Sequence, residues 1–213
     1  MLNSPTNLME LRADQRIIAD WIQPHSRILD LGCGDGRLLA ALQQNHGASG
    51  YGVEIDPENI VKCISNGINV VQSNLDDGLE DFDDSSFDYV VMTQTIQAVR
   101  YPQRLLREMS RIGREGIVTF PNMGHWKCRA QIAFGRMPVT EHLPDTWYST
   151  PNIHICTIND FEDFCAHEGF EILQRTAVDS EHRGGTVMRL MPNLFGEIAM
   201  YRFRRRPQQS QMS

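Results

Sequence analysis

The stretch RILDLGCGDGRLLAAL, residues 27–42, decides how the chain folds. RILDL (27–31) is a short apolar run, glycines at 32, 34 and 36 interrupt it, and Leu38, Leu39 and Leu42 restart an apolar period of helical spacing up to Gly47. A strand, a tight turn and a helix are predicted in that order. The unit recurs in YGVEI (51–55) followed by Ile60, Val61 and Ile64. It recurs again in FDYVVMT (87–93), followed by Pro102 and a helix bearing Leu105, Leu106, Met109 and Ile112. INVVQ (68–72) and GIVTF (116–120) add two β-branched strands. Such alternation predicts an α/β fold, a parallel sheet with helices on both faces.

Upstream, Leu8, Leu11, Ile18, Trp21 and Ile22 predict a lead helix over 8–22, ended by Pro24. Downstream, Thr157 and Asp160 form the pattern of a capping box. The helix they open carries Phe161, Phe164 and Cys165 and stops at Gly169. FEILQRTAV (170–178) and IAMYRFRR (198–205) read as closing strands. At 213 residues the chain suits one domain, residues 1–213, with an insertion or lid at 121–156 and a flexible tail at 207–213.

Hydrophobic residues at 41% and charged residues at 22% are those of a water-soluble globular protein. The net charge of −7 opposes the basic footprint that phosphate backbones demand, so no nucleic-acid partner is expected. No apolar run reaches the roughly 18–20 residues of a membrane span, and the start MLNSPTNLMELRAD has no signal-peptide core. A cytoplasmic location and no membrane association are expected. The five cysteines are odd in number with no C-x-x-C pair, which predicts reduced, mostly buried thiols and no metal site. Both a monomer and a homo-oligomer stay open.

The turn DLGCGDG (30–36) carries the chemistry. A dinucleotide turn needs its third glycine where this chain has Arg37. A phosphate-cradling loop needs a Lys-Ser or Lys-Thr pair that is absent, and Asp30 and Asp35 would repel phosphate. A ligand with a positive centre and no phosphate fits. Glu54, at the end of the second strand, lies 18 residues beyond Gly36, near the spacing at which a carboxylate accepts from ribose hydroxyls.

On these residues the chain resembles the class I S-adenosylmethionine-dependent methyltransferases, which implies their α/β, Rossmann-like fold, a mostly parallel sheet of about seven strands with helices on both faces. The resemblance implies that Asp30, Gly32, Cys33, Gly34 and Gly36 bind S-adenosylmethionine, or its product S-adenosylhomocysteine, toward the methionine end. Glu54 and Ile55 would serve the ribose, and Asn74 and Leu75 the adenine. Asn74 stands where many relatives carry Asp, so its amide oxygen could still accept one hydrogen bond without the charge. Gln94 and Gln97, after the fourth strand, either orient the amino-acid part with their amides or satisfy loop backbone.

A narrower resemblance rests on SFDYVVMTQTIQAV (86–99), TFPNMGHWKCR (119–129), RMPVTEHLPDTWYSTPNIHICTINDFEDFC (136–165) and MPNLFGEIAMY (191–201). The chain is similar to the methionine biosynthesis family MetW from about Leu11 to Arg206. That resemblance implies a partner, a homoserine O-acyltransferase of the MetX type. Three functions stay open: an activating subunit that binds S-adenosylmethionine, an active methyltransferase on a small molecule, and a scaffold that no longer binds the nucleoside. No catalytic residue is assigned.

Four further features bear on function. The insertion 121–156 holds Trp126, Trp147 and Tyr148, and reads as a lid over the cofactor, a docking patch or a satellite core. His125 and His154 are either acid–base groups or hydrogen-bonded structural residues. Seven acids at 76–88 read as a solvated loop. Arg202, Arg204, Arg205 and Arg206 read as a solvated strand end or as a patch for an acidic partner.

Overall fold

A computed structural model describes residues 11–179 and 190–206. Seven strands form one sheet in the order β3-β2-β1-β4-β5-β7-β6. They are β1 (Arg27–Leu31), β2 (Ser49–Glu54), β3 (Val70–Gln72), β4 (Phe87–Thr93), β5 (Gly113–Pro121), β6 (Phe170–Val178) and β7 (Ile198–Arg205). The first five are parallel, and β7 runs antiparallel between β5 and β6. The predicted α/β fold is the one observed. Four strands keep their predicted bounds; β2, β3 and β5 shift by a few residues at their ends, where hydrogen bonding rather than apolar pattern sets the limit.

The helices are α1 (Ala13–Trp21), α2 (Arg37–His46), α3 (Pro57–Ser65), α4 (Pro102–Ile112), α5 (Trp126–Ala133), α6 (Ile158–Glu168) and α7 (Pro192–Phe195). The lead helix is thus shorter than its apolar pattern: Leu8 lies outside the described residues, and so does the tail at 207–213. Local chemistry sets the helix ends. Asp56 caps α3 by accepting from the Glu58 N–H, ahead of Pro57 at the first helical position. Thr157 and Asp160 close the predicted capping box of α6, and Gly169 ends it in a left-handed conformation.

Two apolar clusters cover the two faces of the sheet. On one, α4 and α6 pack Leu106, Met109 and Phe161 against β4, β5 and β7. Phe161 sits 4.6 Å from Tyr201 and 5.0 Å from Phe120 between ring centres, so this layer is aromatic. On the other face, α1 and α2 bury Ile18, Trp21, Leu38 and Leu42. Fully burying one such aliphatic side chain contributes roughly 1.5–3 kcal/mol.

The strand order reverses between β1 and β4, which pair in parallel while their continuations lead to opposite edges. Ligands of open α/β sheets bind at such a switch point, outside the carboxyl ends of the strands. The glycine turn after β1 lies there.

The acidic stretch is anchored rather than simply solvated. Arg111 of α4 donates to the carbonyls of Leu79 and Phe82 and to the carboxylate of Asp84. Asp88 accepts from the Arg27 N–H, and Glu80 pairs with Arg104. Charge pattern alone does not reveal this, because the cations come from elements distant in sequence. The basic run is likewise engaged in part: Arg202 donates to the Trp21 carbonyl and faces Glu115 at 3.4 Å, and Arg204 pairs with Glu171.

Candidate functional site

A cleft of about 650 Å³ opens at the carboxyl ends of β1, β2 and β4. Its wall begins with the glycine turn. The N–H groups of Gly32 and Cys33 both donate to the Val53 carbonyl, which fastens the turn to β2. Gly32 has φ +72°, and a Cβ there would come within 2.6 Å of Thr95 Oγ1. The chain after β1 and the chain after β4 therefore meet at the switch point only because residue 32 lacks a side chain.

Glu54 organises the next part. Its Oε2 accepts from the Gly34 N–H at 2.8 Å, and its Oε1 from the N–H groups of Ile55 and Asp56 at 2.8 and 2.9 Å. A carboxylate offers about four acceptor positions. Three are used by backbone, and Oε2 keeps one for a donor from the cleft. Gly34 itself has φ +57°, and a Cβ there would meet no atom within 4 Å.

Beneath the turn, Asp30 is 1% exposed and its Oδ1 has no partner among the described residues. Burial pushes its carboxyl up to about 7, with the Arg12 guanidinium opposing and the Glu54 charge adding to the rise. Such a carboxyl is poised to ionise when a cation comes near.

Gln94 follows β4 with φ +49°, unusual for a residue with a side chain. Its N–H donates to Thr119 at the tip of β5, and its side chain donates to Asp14 of α1 at 3.1 Å. Asp14 is fully buried and paired with Arg12. Residue-by-residue reading misses Asp14, yet a signal exists: it falls four residues before Ile18, on the apolar face of the lead helix, where an acid needs a partner.

Six of the ten predicted cofactor residues line the cleft: Gly32, Glu54, Ile55, Asn74, Leu75 and Gln94. The other four are placed differently. Asp30 lies below the turn, and Gly34 contributes its N–H to Glu54 and its carbonyl to the Cys63 thiol. The Cys33 side chain packs inward, 3.6 Å from Cys63 between sulfurs. Gly36 caps α2, where a Cβ would press on Cys63 and Ile68. Burial also pushes both thiols upward, so they stay protonated.

Asn74 Oδ1 accepts from the Asp76 N–H at 3.1 Å and caps the short turn Leu75–Asp77, which leaves its second lone pair and the amide nitrogen for a ligand.

The insertion does not roof the cleft: none of its residues is among the cleft lining, and Trp126, Trp147 and Tyr148 are exposed. Its fixed points are structural. Asn122 is 2% exposed; its amide donates to the carbonyls of Asn193 and Gly196 and accepts from the N–H groups of Gly124 and Ile158. The motifs at 119–129 and 191–201 meet at this knot. Glu197 pairs with Lys127 at 2.7 Å and lies near His125 and His142. His125 is held low by burial, hence neutral, and His154 bonds the Arg100 carbonyl; neither lines the cleft. Among the described residues no cluster of His, Cys, Asp or Glu could hold a metal ion, and no helix is long and apolar enough to cross a membrane.

Comparison with known proteins agrees with this fold. The chain resembles, at 17–19% identity, solved S-adenosylmethionine-dependent methyltransferases. One from Archaeoglobus fulgidus is 19% identical over 91% of this chain and 92% of that one, with a TM-score of 0.66. Another, from Mesorhizobium loti, is 17% identical over 93% and 100%, also at 0.66. At such identities the likeness shows the fold. A curated relative, the bifunctional methionine biosynthesis protein MetXA/MetW of Rhodopirellula baltica, is 35% identical over 92% of this chain. The chain spans about a third (33%) of that relative's length. The family model described as methionine biosynthesis protein MetW matches residues 12–203, and on that match the chain belongs to the MetW family.

Proposed function

We propose that this protein binds S-adenosylmethionine, or S-adenosylhomocysteine, in the cleft beside the glycine turn and acts as a partner that supports a homoserine O-acyltransferase of the MetX type. The observation that carries the partnership is the Rhodopirellula relative, whose single chain bears both the MetXA and MetW names. A tether raises the effective concentration of two parts that work together. The cleft supports the ligand. Glu54 retains one acceptor position for a ribose hydroxyl, Asp30 beneath the turn favours the ammonium by its charge, and Ile55 and Leu75 are apolar neighbours for a base. Asn74 would donate from its amide nitrogen to a ring nitrogen. When bound, the cofactor supplies an electrophilic methyl group on a sulfonium.

A ligand that binds one state of the pair better than another biases the equilibrium between them. The pathway's methyl donor would thereby report on demand. The test is to assay the acyltransferase alone, with this protein, and with this protein plus S-adenosylhomocysteine. A several-fold rise on addition, with co-purification of the two chains, supports the reading; unchanged activity and no co-purification count against it.

A second reading is methyl transfer to a small molecule, favoured by the intact glycine turn tied to Glu54. Methyl transfer chiefly needs alignment, with a base only if the acceptor must lose a proton. Radiolabelled methyl groups should then reach an acceptor in a cell extract, and no transfer to any acceptor argues against it. The reading places the protein in the cytoplasm, and its net charge of −7 supports a setting without nucleic acid.

A further inference from the structure

Gln94 stands in the cleft wall with three of its four polar groups already bonded. Its N–H donates to the carbonyl and to Oγ1 of Thr119, both at 3.0 Å, and its carbonyl accepts from Gln97 Nε2 at 2.7 Å. Its side-chain Nε2 donates to Asp14 Oδ2 at 3.1 Å. The fourth group, Oε1, accepts nothing among the described residues and keeps surface open to solvent. The backbone holds φ at +49° to present the residue in this way. A glutamine seldom adopts that region, and such outliers persist where the surroundings over-determine them, as at ligand clamps.

The direction of the amide is set from outside the residue. Asp14 lies 80 residues earlier, on α1, and is fully buried. Arg12 grips both of its oxygens, Nε to Oδ1 and Nη2 to Oδ2, each at 3.1 Å. A carboxylate so paired only accepts, so it faces the nitrogen of the Gln94 amide and not its oxygen. The two ends of a planar amide point apart. Fixing Nε2 on the lead helix therefore turns Oε1 away from that helix, toward the cleft that Gln94 lines. The charges nearby suit a donor from the ligand: Asp30, Glu54 and Asp14 are acids, and the Arg12 guanidinium is taken up by Asp14.

Resting on the reading of the cleft as a site for S-adenosylmethionine or S-adenosylhomocysteine, we propose that Asp14 is a positioning residue. It orients the Gln94 amide so that Oε1 accepts a hydrogen bond from the ligand's α-ammonium. The lead helix thereby makes the cleft selective for a ligand whose amino-acid part carries that donor. Asp30 favours the same group by charge, which acts in all directions, whereas Oε1 takes one N–H along one line.

Calorimetric titration of the full chain tests this with three probes: S-adenosylhomocysteine, its analogue lacking only the α-amino group, and 5′-methylthioadenosine, which lacks the whole amino-acid part. The unaltered protein should prefer S-adenosylhomocysteine to the desamino analogue by roughly ten- to a hundredfold. Gln94→Met keeps the length and removes the amide; Asp14→Leu frees the amide to rotate, with Asp14→Ala in its place should the larger side chain prevent folding. Each should cut that preference by about tenfold and leave the affinity for 5′-methylthioadenosine unchanged. Equal affinity of the unaltered protein for the first two probes, or a full preference kept by Gln94→Met or by the Asp14 variant, overturns the proposal. So does a loss of 5′-methylthioadenosine affinity as large as the loss for S-adenosylhomocysteine, which marks a merely structural role. Binding of 5′-methylthioadenosine without any preference for the amino group leaves the reading of the cleft intact and sinks this proposal alone. Binding of none of the three by the unaltered protein overturns both.

Discussion

The backbone N–H of Gly34 donates to Glu54 Oε2 at 2.8 Å, joining the glycine turn to the tip of β2 across 20 residues of chain. The acid that would hold a ribose also holds the loop against which the rest of the ligand would lie. Binding and loop order are therefore one property of Glu54.

Glu54→Gln is expected to weaken both. The replacement keeps one oxygen for the N–H groups of Ile55 and Asp56 but sets an NH₂ against the Gly34 N–H, or the reverse. Losing a hydrogen bond to a charged acceptor costs roughly 1.5–3 kcal/mol, about ten- to a hundredfold in affinity. Calorimetric titration with S-adenosylhomocysteine measures it. Unchanged affinity would remove Glu54 from the ligand's contacts.

Asp30 sets a pH dependence whose sign can be stated. Its folded pKa, about 7, lies above the ordinary carboxyl value, so between about pH 4 and 7 the folded state holds a proton that the unfolded state has lost. This group's contribution to stability therefore falls as pH rises through that window. Asp30→Asn should flatten the decline and leave the protein more stable at pH 8. It should also weaken cofactor binding if the ammonium pairs with the ionised form, and ligand affinity in the unaltered protein should then fall as pH drops below about 7. Denaturant midpoints and titrations at pH 5, 6, 7 and 8 check both.

Gly34→Ala separates folding from binding. The left-handed backbone costs an alanine about 1–2 kcal/mol, but no atom stands in its way, so the variant should fold with a lowered midpoint. Its new methyl projects into the space before the turn, and affinity for S-adenosylhomocysteine should drop at least tenfold. Native-like circular dichroism together with undiminished binding would contradict this placement.

Asn122→Leu should destabilise the protein without touching the cleft. It deprives the carbonyls of Asn193 and Gly196 and the N–H group of Gly124 of their buried partner, while the Ile158 N–H keeps Asn193 Oδ1. Each unmet group costs about 1–3 kcal/mol, so a total loss of several kcal/mol is expected from equilibrium unfolding, with cofactor affinity per folded molecule unchanged. A loss of affinity instead would tie the knot to the site.

Local pattern made much of this protein legible. Short apolar runs marked all seven strands, and in the interior parallel strands β1, β4 and β5 that composition records burial on both faces. Glycine at 32, 34 and 36 marked the turn, since backbone of that shape admits little else. Glu54 was visible from its place at the end of a strand. The family motifs at 119–129 and 191–201 were equally visible, yet their meaning was not: they meet through Asn122, and contacts across about seventy residues leave no local periodicity.

Only the tertiary structure decided the rest. It turned Asp14 of the lead helix toward Gln94, made Asn74 the cap of a short turn, and tied the acidic stretch to Arg111. It also kept the aromatic insertion out of the cleft and used it to wall a separate cavity. Backbone preference and burial period act between near neighbours and are written in sequence order, whereas the partner of a buried polar group is whatever group the completed fold brings within hydrogen-bond reach.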